Sequence, residues 1–168
     1  GVELPANAWW TEAGPALFVG LDTNAAFQFG ADFQARWLAE RLGNSDARWK
    51  VVLGHHPFRS DGPHGNAGEY EGWSNVPILS GGGLRGLFES RLCGSADLYL
   101  AGHDHLRELI DHCGVALIVS GAGAKGTEVV DRGNDPRFAS ALPGFAWVEL
   151  GDDAGTVDFY DADGVPDG

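Results

Sequence analysis

The sequence predicts an α/β fold, a mixed β-sheet flanked by helices. Two observations carry this. Short apolar runs bounded by turn residues alternate with a helically spaced segment in the first half of the 168-residue chain. Strand-like runs then follow one another in the second half, which calls for mixed strand direction. The length suits one domain with a sizeable core.

The elements follow in order. Ala16–Asp22 (ALFVGLD) is a short apolar run ending in polar residues, the pattern of a buried strand. Asp32–Leu42 places Phe33, Trp37, Leu38 and Leu42 at helical spacing, and Gly43-Asn44 supplies the stop. Trp49–Leu53 (WKVVL) is the next strand and runs into Gly54-His55-His56-Pro57. A Gly-rich loop extends from Pro57 to about Gly83, and a loop that long inside a compact domain is usually functional. Leu84–Leu92 reads as a short helix. Asp97–Ala101, Val115–Ser120, Phe145–Leu150 and Thr156–Tyr160 read as strands, and the acidic tail 161–168 as frayed. Of the six tryptophans, most read as core or loop anchors, and Trp73 stands out in the long loop.

Composition excludes some partners. The net charge is −13, against the clustered Lys and Arg that a nucleic-acid backbone requires. No apolar run approaches the ~20 residues that span a bilayer. An anionic substrate would have to be attracted by something other than side-chain charge, and a bound metal cation would do this locally. The absence of methionine points to a chain cut from a longer precursor. Cys93 and Cys113 flank the strand at Leu98. A strand followed by a return strand brings such residues close enough to bridge, which implies an oxidising compartment. Two small buried thiols are the alternative.

The histidines form the constellation. Five of the six (His55, His56, His64, His103 and His105) lie at strand ends or in the long loop. His55 follows the strand ending at Leu53, and His103 the strand ending at Ala101. If those strands are parallel neighbours, both Gly-His turns lie side by side beyond the carboxyl edge of the sheet, where ligands bind. Neutral imidazole is the commonest protein ligand for a transition metal. His112, beside Asp111 and Cys113, has no partner motif and no ligand role.

VVLGHHPFRSDGPHG (Val51–Gly65) and LYLAGHDH (Leu98–His105) resemble the two C-terminal motifs of calcineurin-like metallophosphoesterases, most closely the purple-acid-phosphatase-like branch. LDTN (Leu21–Asn24), Trp37-Leu38 and VSGAGAKG (Val119–Gly126) agree, and the resemblance covers about residues 15 to 150. It implies one half of a four-layer αββα sandwich, with residues 1–168 as the C-terminal half of a single metallophosphoesterase domain. It implies two metal ions (Fe, Zn or Mn) and a phosphoric-ester hydrolase in which metal-bound hydroxide attacks phosphorus. His55 and His103 would bind one metal and His105 the other. His64 would contact the substrate phosphate and protonate the leaving group, and His56 would support the site or reach the substrate. Asp104 would turn away as a structural hydrogen-bonding residue.

The family's Asp-x-His, Gly-Asp-x-x-Asp or -Tyr, and Gly-Asn-His motifs do not occur in this sequence. ELPANAWWTEAGPALFVGLD resembles the stretch shortly after the last of them. The resemblance therefore implies that the carboxylate side of the centre comes from an N-terminal half of the same precursor, bound as a separate chain, with this chain inactive alone. It also implies an exported protein. The competing reading is a non-catalytic half-domain that binds one metal or another protein.

Overall fold

The computed structural model describes residues 7–167, so residues 1–6, which include ELPA, and Gly168 lie outside the described residues. Seven strands form one mixed sheet: β1 (Trp9–Ala13), β2 (Ala16–Gly20), β3 (Trp49–Leu53), β4 (Leu98–Ala101), β5 (Arg107–His112), β6 (Val115–Ser120) and β7 (Phe138–Ser140). Their spatial order is β1-β2-β3-β4-β6-β5-β7. The central four, β2, β3, β4 and β6, run parallel; β1 joins β2 antiparallel, and β5 lies antiparallel to both β6 and β7. β8 (Gly144–Leu150) and β9 (Gly155–Asp161) form a separate antiparallel pair.

The central strands are apolar on both faces, as parallel strands covered on both sides must be. Leu17, Val19, Val52, Tyr99, Ala101, Ile110 and Leu117 face helices α1 (Thr23–Phe29), α2 (Asp32–Gly43) and α4 (Gly82–Arg91), meeting Trp37, Leu38, Leu84 and Phe88. Their neighbours Phe18, Val51, Leu53, Leu98, Leu100 and Ile118 face the β8–β9 pair through Ala146, Val148, Leu150, Val157 and Phe159. The layers are therefore helix, sheet, sheet.

Arg107 ties the second sheet to the first. Its side chain is fully buried on β5. It donates to the carbonyls of Leu142 (3.0 Å) and Tyr160 (2.8 Å), to Ser140 Oγ (2.8 Å) and to Asp167 Oδ2 (2.5 Å). The acidic tail, expected to fray, folds back instead: the Asp167 amide donates to the Phe159 carbonyl at 2.8 Å, and Pro166 bridges to Tyr160.

Three other expectations change. β1, α1, β5 and β7 are additional elements, and the long loop contains a 3₁₀ turn (Tyr70–Gly72) and the short helix α3 (Pro77–Ser80). On α2, Phe33 is exposed and Gln34 is buried, because the Gln34 amide accepts from Asp22 N (3.0 Å) and donates to Asp22 O (2.7 Å). Among the tryptophans only Trp37 is buried; Trp9, Trp10, Trp73 and Trp147 are exposed. Cys93 and Cys113 are joined in a disulfide with Cα atoms 5.2 Å apart. No helix among the described residues is long and apolar enough to cross a membrane.

Candidate metal centre

The site grows from the carboxyl ends of β3 and β4, which are parallel neighbours. Their ladder continues past the strands: Gly54 N donates to Leu100 O at 3.0 Å, and Gly102 N to His55 O at 3.1 Å. This sets the two Gly-His turns side by side. Gly54 is required there, since a Cβ would stand 2.4 Å from Tyr99 Oη and 2.7 Å from Thr23 Cγ2. His103 takes a left-handed backbone conformation, φ +67°, that non-glycine residues seldom adopt. Such strain persists where the surroundings over-determine it.

Four imidazoles meet here. His55 Nε2 and His103 Nδ1 are 3.0 Å apart. The His103 ring centroid lies 4.2 Å from His64, 4.7 Å from His56 and 4.8 Å from His55. Burial pushes His103 down to about 4, with His64 and His55 adding to it against Asp104 and Glu71. Burial likewise lowers His56 to about 4, helped by His103, His55 and His64. Both rings are therefore neutral at neutral pH, the form that offers a lone pair.

His64 arrives from the long loop. Its backbone N–H donates to Asp104 Oδ1 at 2.9 Å, and its Nδ1 pairs with Glu71 Oε1. Asp104 is fully buried; its Oδ1 accepts that N–H, and its Oδ2 has no hydrogen-bond partner among the described residues. It fills the space above Gly62, where a Cβ would meet the Asp104 carboxyl carbon at 2.2 Å. Arg132 fastens the same loop by donating to the carbonyls of Gly62 (3.0 Å) and Pro63 (2.9 Å).

His105 stands apart: it has no ring or hydrogen-bond contact with the other imidazoles among the described residues, and its carbonyl accepts from Thr127 N at 2.8 Å. His112 packs edge-on against Phe58, away from the cluster. Glu71 was not a sequence candidate. His64, Glu71 and His103 form the only group of three His, Cys, Asp or Glu donors among the described residues close enough to share an ion, all within 4.8 Å of one another. Nothing in the glycine-rich loop signals Glu71; its place depends on a left-handed residue (φ +55°) whose amide donates to His64 O at 3.0 Å. Converging neutral imidazoles fit a zinc, iron or manganese ion, and the set is poor in carboxylates for two.

Behind the His64 loop, buried Glu108 accepts from Asp61 N at 3.1 and 3.2 Å. Burial pushes it up to about 8, only partly offset by that N–H, while Asp61 and Asp104 raise it further. A carboxyl whose folded pKa lies above its unfolded value contributes stability fully present below the unfolded pKa. That stability is lost as pH rises through the folded pKa, here up to about 8. Glu108→Gln should therefore flatten the fall in stability between about pH 5 and pH 9, on the order of a few kcal/mol in the parent. Urea melts at both pH values check this; equal pH dependence in parent and variant would contradict it.

Comparison with known proteins gives consistent relatives. The chain is 33% identical over 129 residues to purple acid phosphatase 3 of Arabidopsis thaliana, covering 73% of this chain and 32% of that protein. No family model matches. Purple acid phosphatase PPD1 from yellow lupin (Lupinus luteus) seeds superposes with a TM-score of 0.70 at 18% identity, over 98% of this chain and 33% of that one. GAP50, the anchor in the inner membrane complex of Plasmodium, gives 0.70 at 21% identity, over 96% of this chain and 52% of that one. The chain thus spans about a third or less of the length of curated relatives it matches, 32% of purple acid phosphatase 3 and 23% of purple acid phosphatase 17 of Arabidopsis thaliana.

Proposed function

Since the chain is a purple-acid-phosphatase-like member of the calcineurin-like metallophosphoesterases, matching their C-terminal region, we propose that it forms the C-terminal half of a metal-dependent phosphoric-ester hydrolase. The observation that carries this reading is the approach of His55 Nε2 and His103 Nδ1 to 3.0 Å at the ends of two parallel strands. These two hold one ion. His105, standing clear of them, holds the second together with carboxylates from the N-terminal half. When bound, the ions polarise the phosphoryl oxygens and activate water.

The chain's own residues do the rest. His64, oriented by Glu71 and by Asp104, faces the substrate and gives a proton to the departing ester oxygen. His56 lies beneath the cluster and contacts the substrate. The sheet face bearing Phe18, Leu53 and Leu100 is only partly covered by β8 and β9, and it receives the N-terminal half. That half completes the four-layer sandwich over residues 1–168. The Cys93–Cys113 bridge supports export.

Native material should contain a second polypeptide carrying the missing aspartates, visible by mass spectrometry. The complex should hydrolyse an aryl phosphate. A chelator should abolish turnover, and zinc, iron or manganese should restore it. A two-chain complex with a full complement of metal and no turnover would contradict the reading.

A further inference from the structure

His56 is held by three neighbours. The residue is 7% exposed. Phe27 stacks on it with centroids 5.4 Å apart and planes 4° apart, and Tyr99 Oη donates to its carbonyl at 2.6 Å. Thr23, one helical turn before Phe27, covers the Nδ1 edge. Its Oγ1 lies 3.1 Å from His55 N, 3.2 Å from His56 N and 3.0 Å from His56 Nδ1.

Counting protons resolves the three contacts. A hydroxyl has two lone pairs and one proton. The two backbone N–H groups can only donate, so they occupy both lone pairs. The hydroxyl proton is left for Nδ1, which must accept it. A neutral imidazole that accepts at Nδ1 carries its own proton at Nε2. Nε2 has no hydrogen-bond partner among the described residues and is not sealed in the core.

We propose that Thr23 is a positioning residue that fixes His56 as its Nε2–H tautomer, so that this imidazole gives the site a hydrogen-bond donor for a phosphoryl oxygen rather than a lone pair for a metal. The substrate part rests on the phosphoesterase reading; the tautomer part does not. The assignment separates two adjacent histidines by chemistry. Thr23 touches only the backbone of His55, which leaves that ring free to turn Nε2 toward His103. Thr23 caps His56 at Nδ1, leaving it no lone pair to present.

Long-range proton–nitrogen spectra of the ¹⁵N-labelled chain at neutral pH test this. His56 should show an unprotonated Nδ1 and a protonated Nε2 without any ligand. Thr23→Ser should keep that pattern, and Thr23→Val should lose it. An Nδ1–H tautomer in the parent chain overturns the assignment, as does a Thr23→Val spectrum unchanged from the parent. Should Thr23→Val fail to fold, the parent and serine spectra still decide. Zinc should shift the nitrogens of His55 and His103 and leave His56 Nε2 protonated; loss of that proton overturns the donor role. Inorganic phosphate added to the zinc-loaded chain should move the Nε2–H resonance of His56. A zinc-loaded chain whose His56 ignores phosphate overturns the phosphoryl contact, while the tautomer measured without ligand stands by itself.

Discussion

Replacing His103 by alanine is expected to lower zinc affinity by more than about 100-fold, because changes to residues that merely support a ligand already cost 10–100-fold. His103 is the hub of the cluster: its ring touches His55, His56 and His64, and its Nδ1 is the atom that meets His55 Nε2. The loss should come without a loss of fold. The residue sits at φ +67°, where a side chain costs about 1–2 kcal/mol relative to glycine. His103→Gly should therefore melt at the same temperature as the parent or higher while binding no metal. Titration calorimetry with zinc, beside thermal melts, separates the two effects. His112→Ala is the control and should change neither, since His112 meets Phe58 and not the cluster. A His103→Ala chain that binds zinc like the parent would remove the basis for the site.

Replacing Arg107 by methionine is expected to cost about 3 kcal/mol, because each enclosed acceptor left without a donor costs about 1–3 kcal/mol, while the half-exposed Asp167 carboxylate can turn to water. Its guanidinium supplies four bonds on one fully buried side chain, to Leu142 O, Tyr160 O, Ser140 Oγ and Asp167 Oδ2. Methionine fills similar space but leaves the enclosed carbonyls without donors. The damage should be local at first. β8, β9 and the tail should lose hydrogen-exchange protection before the β2–β3–β4–β6 core does, since Arg107 joins the two sheets. Arg107→Lys should recover only part of the loss, because an ammonium cannot reproduce the guanidinium fork. Uniform loss of protection across both sheets would show that the second sheet is not held this way.

The parts of this fold that were legible in the sequence are those where one force dominates. β2, β3, β4 and β6 are short apolar runs, buried on the helix face and partly covered on the other, and hydrophobicity alone marks them. The Gly-His turns were legible for the same reason, since each follows such a strand. β5 was not, because RELIDH is charged and yet Arg107 and Glu108 are fully buried. Their satisfaction comes from Leu142, Tyr160 and Asp61, which are distant in sequence. The exchange of Phe33 for Gln34 on the buried face of α2 has the same origin, a side-chain amide clamping the Asp22 backbone. β1 carries no apolar run and is exposed along its length.

The site divides similarly. Motif and strand position bring His55, His56, His64 and His103 into one cluster, as the sequence suggests. Glu71 and Thr23 enter through tertiary contacts: a left-handed turn in the long loop, and the first residue of α1. Neither position is visible to periodicity. Thr23 lies in the LDTN stretch, and its hydroxyl meets the Gly-His-His turn only once β2 and β3 pair in parallel.

The most direct measurement is the anomalous scattering of zinc in crystals of the chain together with the N-terminal half proposed above. An ion bound by both His55 Nε2 and His103 Nδ1 is expected, and a second ion at His105. No ion near the paired histidines, or one bound by His64 and Glu71 with His55 unengaged, would contradict this.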